Sequence, residues 1–205
     1  MVLQGQISRL SRITAKTFGQ VLPLHQTSQL VTTLDDEDWL LSEIPYPIVA
    51  ALLIYKGSRD GWTYGKFHEF CDRMGPTLTI MKTKAGAICG GFTMQDWTSN
   101  HEWKSDSCAF VFRLDTKATY KPKDQSYAIF CSSTYGPRFG NDALSLCNNP
   151  MNGSGNGRCY VDIDGEYDTK YKIKADENGN SPLTGEGAED EGSYKNFTCI
   201  ELEVY

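Results

Sequence analysis

Hydrophobic residues follow two rhythms along this chain. Near the N-terminal end they recur at the spacing of one helix face; after residue 48 they gather in runs of strand length. Residues 34–41 read as a helix start. Asp35, Asp36, Glu37 and Asp38 favour the positive end of the helix dipole, and Trp39, Leu40 and Leu41 follow as the buried stripe. Pro45 and Pro47 are expected to end it. Residues 48–55 read as an apolar strand and 57–61 as a turn. Thr63 reads as the cap of a helix through Phe67, Phe70 and Cys71, stopped by Gly75-Pro76. Further strands are expected at 77–82, 87–92, 109–114, 127–131, 143–147 and 198–205. In the last, Ile200, Leu202 and Val204 alternate with Glu201, Glu203 and Tyr205, so it should lie inside a sheet and not fray. Short strands with few helices predict an α+β, mainly β fold: a two-layer antiparallel β-sandwich flanked by a few helices.

Length and charge sharpen this picture. The 205 residues suffice for one domain with a sizeable core, or a domain plus a short arm. The first 34 residues hold no acid but carry Arg9, Arg12 and Lys16, and Ile7, Leu10 and Ile13 fall on one helical face. Such a composition also resembles a mitochondrial transit peptide, yet lacks the apolar run of a secretory signal. The expected division is an N-terminal arm over 1–33 and a domain over 34–205. Residues 148–157, rich in Asn and Gly, and 175–194, with six acids and no base, read as solvated loops. The net charge of −6 argues against a general affinity for nucleic acid or anionic membranes. No apolar run approaches the length of a membrane span. Seven cysteines without a C-x-x-C pair indicate buried, reduced thiols and a cytoplasmic protein.

Each chemical motif has a plainer competitor. Asn152-Gly153-Ser154-Gly155-Asn156-Gly157 lacks the Gly-Lys-Ser/Thr ending of a phosphate loop and leads into a β-like run. His68-Glu69-Phe70-Cys71-Asp72 opens like a zinc-protease helix but has Asp72 where the second His belongs. The acidic stretches from Asp162 and Asp176 miss the Gly and Glu of a calcium loop. One local nucleophile–base pair remains, Cys71 and His68, close to one helical turn apart. It makes Cys71 the candidate for a reactive thiol, against the simpler reading of a buried structural cysteine. No metal and no organic cofactor is expected.

At Leu53-Ile54-Tyr55-Lys56-Gly57-Ser58-Arg59-Asp60-Gly61-Trp62 the chain resembles the TLDc domain. The likeness runs through Phe67-His68, Cys71-Asp72, Gly75-Pro76-Thr77, Gly90-Gly91-Phe92, Trp97-Thr98 and Ala109-Phe110-Val111-Phe112. It continues at Tyr135-Gly136-Pro137-Arg138-Phe139-Gly140 and ends on Ile200-Glu201-Leu202-Glu203-Val204-Tyr205. Its signature residues Gly57, Ser58, Arg59, Asp60, Gly61, Gly75, Pro76, Gly90 and Gly91 read as structural. Gly57 and Gly61 flank a turn in which Arg59 and Asp60 can pair or bond to backbone. Gly75-Pro76 makes a sharp exit, and Gly90-Gly91 lets backbone or a bulky aromatic approach the strand closely. Phe92, Trp97, Trp103, Phe110 and Phe112 are expected in the core. The resemblance brings no agreed catalytic set. It implies a non-catalytic protein-interaction domain linked to oxidative-stress resistance, with the vacuolar-type proton ATPase as leading partner. A ciliary or cytoskeletal scaffold is the second candidate, and a thiol-based redox protein using Cys71 is the alternative of another class.

Overall fold

The computed structural model describes residues 22–161, 171, 173–178, 180–186 and 194–205. The expectations placed on 1–21, on the acidic stretch at Asp162, Asp164 and Glu166, and on 187–193 fall outside these residues. The chain divides into two compact units, Met1–Leu53 and Ile54–Tyr205.

In the first unit, α1 (Leu24–Thr27) and α2 (Leu34–Ser42) are both held by side-chain oxygens. Thr33 caps α2 by accepting from the Asp36 N–H at 3.1 Å. Glu37 reaches from α2 to the start of α1, where its two oxygens accept from the N–H groups of Leu24 and His25, each at 3.0 Å. It also contacts His25 Nδ1. Burial pushes the Glu37 carboxyl up, but these His25 and Leu24 donors outweigh it and hold the group below the usual carboxylate range. The stripe predicted for α2 is corrected. Glu37 and Leu40 are its buried positions, while Trp39 and Leu41 are only half-buried. A helix places i and i+3 on one face, and three consecutive residues cannot share it. The helix also closes at Ser42, before either proline.

The strand expected over 48–55 shrinks to β1 (Tyr55–Lys56). An apolar run without alternation states no pairing face, and Ile48, Val49 and Leu52 remain exposed. The turn at 57–61 is one helical turn, α3 (Gly57–Asp60), closed by Gly61 at φ 102°. Next comes α4 (Tyr64–Cys71), capped as expected by Thr63, which accepts from the Lys66 N–H at 3.3 Å. It ends at Cys71, before Gly75-Pro76, because Asp72 turns extended and bridges to Trp97.

Among the described residues two six-stranded antiparallel sheets follow. The first contains β1, β2 (Thr77–Thr83), β3 (Ile88–Thr93), β5 (Phe110–Arg113), β6 (Ala118–Tyr120) and β12 (Cys199–Val204). Its order is β1-β12-β2-β3-β5-β6. The second contains β4 (Glu102–Lys104), β7 (Ile129–Cys131), β8 (Arg138–Phe139), β9 (Leu144–Leu146), β10 (Gly157–Tyr160) and β11 (Tyr194–Phe197). Its order is β11-β10-β9-β8-β7-β4. The mainly β, two-sheet architecture is the one predicted. Apolar side chains of both sheets form one core with Tyr55, Phe67 and Trp97. At Gly91 on β3 an added Cβ would lie 2.6 Å from the ring of Phe139 on β8, so the sheets meet at that point with no room for a side chain.

The last strand lies inside its sheet, between β1 and β2. Its alternation is corrected at both ends. A register shift between Cys199 and Glu201 turns Ile200 outward to 48% exposure, and Glu203 is fully buried. The acidic loop is also corrected in its described part, where Ser181, Leu183 and Thr184 are buried. Met151, in the Asn- and Gly-rich loop, is buried too. Trp103 is not a core residue: it lies on edge strand β4 at 36% exposure.

Candidate functional site

The segment from Tyr55 to Trp62 closes on itself. The Tyr55 hydroxyl donates to the Gly61 carbonyl at 2.6 Å, across α3. Asp60 Oδ2 accepts from the Lys56 N–H at 2.8 Å, and both carboxylate oxygens receive the Arg59 guanidinium, at 2.8 and 2.7 Å. The bond from Arg59 leads the effects that hold the Asp60 carboxyl below the usual range. The Trp62 ring covers Gly57, where an added Cβ would fall 2.6 Å from it. These bonds organise the turn.

Beneath the turn lies a buried charge cluster on β1 and β12. Lys56 Nζ donates to Glu203 Oε1 at 3.0 Å and stands 4.0 Å from Glu201 Oε2. The Tyr205 hydroxyl donates to Glu203 Oε2 at 3.1 Å, and Ser58 donates to Glu201 Oε2 at 2.6 Å. Glu203 is thus buried with a cation on one oxygen and a hydroxyl on the other, the condition under which a buried carboxylate is tolerated. Sequence reading missed this cluster because it took Glu203 as solvent-facing. The only signal available was the excess of charge in an otherwise apolar terminal strand.

His68 and Cys71 lie on α4 but are not brought together as a nucleophile–base pair. His68 Nδ1 faces Asp72 Oδ1 at 2.7 Å. Its Nε2 stands 2.9 Å from the Ser132 carbonyl and 3.0 Å from that of Tyr135; carbonyls only accept, so Nε2 carries a proton. Asp72 Oδ2 in turn accepts from the Ser99 hydroxyl at 2.8 Å. His68 therefore pins the end of α4 to the loops around Ser99 and Ser132. Cys71 is fully buried, and burial, reinforced by the negative charges of Asp72 and Asp60, pushes its thiol far up. A thiolate is disfavoured there. All seven cysteines lie outside disulfides, and only Cys108 is not buried.

On the second sheet a partly exposed cluster was not foreseen. The Arg138 guanidinium lies over three rings, at 4.5 Å from Tyr135, 4.8 Å from Phe130 and 5.8 Å from Trp103. Its Nε is 2.6 Å from Asp142 Oδ1, an ion pair whose angles fall short of a hydrogen bond. Trp103 pairs in register with Phe130, and His101 packs edge-on against the same ring. Trp103 and Arg138 were each noted in the sequence, but only the pairing of β4, β7 and β8 joins them. Among the described residues no group of His, Cys, Asp and Glu is placed to hold a metal ion. No described helix is long and apolar enough to cross a membrane.

An antiparallel two-sheet domain with one closed turn, a buried charge pair and a cross-sheet glycine contact defines the class. The family model described as TLDc domain matches residues 21–205, and the chain belongs to that family.

Proposed function

We propose that this chain is a non-catalytic protein-interaction domain of the cytoplasm. On this reading it binds a large assembly, the vacuolar-type proton ATPase first, and through it supports resistance to oxidative stress. The family match over residues 21–205 carries the reading. The polar groups of the signature region support it, since they are engaged with one another or with backbone. The burial of Cys71 favours its structural role over the redox alternative.

The Trp103, Tyr135 and Arg138 cluster is the proposed contact surface. Trp, Tyr and Arg dominate binding energy at protein interfaces, and an aromatic-backed guanidinium is already ordered before binding. Capture from native extract with the full chain as bait is expected to recover proton-ATPase subunits. Trp103→Ala, with its melting temperature checked, is expected to reduce the yield at least tenfold. Recovery of a ciliary or cytoskeletal assembly would transfer the role to that partner. Recovery of the bait only as a free monomer would refute the interaction reading.

A further inference from the structure

The first unit has an unusual surface. Six of the nine exposed large hydrophobics among the described residues belong to it: Leu22, Leu34, Tyr46, Ile48, Val49 and Leu52. Val49 is 59% and Leu52 53% exposed. Leu22, Ile48 and Val49 also line an open cleft of about 210 Å³, together with Leu24, Leu41 and the acidic Glu37 of α2. An open cleft rimmed by the exposed Leu22, Ile48 and Val49 marks a contact surface.

The charges beside it are segregated. Residues 22–53 carry Asp35, Asp36, Glu37, Asp38 and Glu43 and no Lys or Arg; residues 1–21 carry Arg9, Arg12 and Lys16 and no acid. The preceding segment also offers Ile7, Leu10 and Ile13 at helical spacing. It joins the cleft directly, because Leu22 is one of the lining residues. Ile13 lies nine residues before Leu22, a reach of roughly 30 Å at full extension, ample for folding back. Closing so short a loop costs little entropy.

We propose that residues 1–21 dock on this cleft within the same chain, with Ile7, Leu10 and Ile13 in the apolar patch and Arg9, Arg12 and Lys16 facing the acids of α2. The proposal is independent of the partner assigned above.

The test uses the full chain and two variants, Ile7→Asp/Leu10→Asp/Ile13→Asp and Arg9→Glu/Arg12→Glu/Lys16→Glu. Binding of the apolar dye 8-anilinonaphthalene-1-sulfonate and amide hydrogen exchange over 46–52 are read, and thermal melting reports whether the β-sheets are intact. With melting unchanged, both variants are expected to raise dye fluorescence and exchange rates over 46–52 at least threefold. Adding Asp35→Lys/Asp38→Lys to the charge-reversed arm is expected to restore the protected values. Identical dye binding and exchange in the full chain and the Ile7/Leu10/Ile13 variant would overturn the proposal. So would a concentration-dependent dimer in sedimentation that this variant abolishes, because the arm would then occupy a second copy.

Discussion

Gly90 and Gly91 are adjacent on one strand yet serve different neighbours. A Cβ at Gly90 would meet the Thr79 backbone carbonyl at 2.0 Å, whereas one at Gly91 would meet the Phe139 ring at 2.6 Å. A ring can shift more readily than a paired strand. Gly91→Ala is therefore expected to lose ~1–3 kcal/mol in chemical denaturation, with Gly90→Ala losing more or failing to fold. Gly65, inside α4, is the counter-case. Its Cβ would find nothing nearer than Thr63 Oγ1 at 4.0 Å, so Gly65→Ala should gain ~0.5–1 kcal/mol in the same assay. Asp60 gives the residue scale a pH dependence. Its folded-state pKa is depressed, first by the bond from Arg59, so its contribution is present above the unfolded value and lost as pH falls through the folded one. Melting temperature should drop below about pH 4. Asp60→Asn should lose ~1–2 kcal/mol at neutral pH and flatten that acid limb. A mutant curve parallel to the native one would place the acid sensitivity elsewhere. The glycine pair and the Arg59–Asp60 partnership were both legible as short motifs, because their partners lie within a few residues or their small size announces a close approach.

At the scale of elements, legibility depended on whether an element states its own face. α4 was readable because Thr63 caps it and Phe67 and Cys71 repeat at helical spacing. β2, β3 and β5 were readable as strand-length runs between turn residues, and most of their positions are buried. β10 showed only as a β-like run, and β4, β6, β8 and β11 were not readable. Each has at most four residues and a mixed pattern such as Glu102-Trp103-Lys104 or Arg138-Phe139. Their partners define them as strands, and no single sequence window holds both members of a pair. β12 falls between these cases. Its place inside the sheet followed from apolar alternation, but the shift after Cys199 and the buried Glu203 depend on contacts with β2 and Lys56. Because β12 supplies ladder bonds to both β1 and β2, a chain truncated before residue 199 is expected to be insoluble. A truncated chain that stays soluble with native melting would show the strand to be dispensable.

For the molecule as a whole, the two-sheet class could be read from the strand count, but the order of strands could not. The last strand pairs with the first two of its sheet, and Trp103 reaches Arg138 only across β7. This long-range closure also decides the fate of the thiols, which gives a test of folding and of the redox alternative together. Six cysteines are buried, and Cys108 alone is partly exposed. Burial pushes the Cys147 thiol up to about 11 and Cys159 to about 12, and lifts Cys71, Cys89, Cys131 and Cys199 as well. Reaction with a disulfide reagent requires both access and a thiolate, and the folded core withholds both from these six. The native chain at neutral pH should therefore label rapidly at Cys108 alone, with the other six reacting together as the sheets unfold in denaturant. Peptide mapping of the label assigns each thiol. If Cys71 reacts in the native chain as fast as in the unfolded one, α4 opens far more readily than its packing against Tyr55 and Trp97 implies. A thiol chemistry at that helix would then have to replace the structural role given to Cys71.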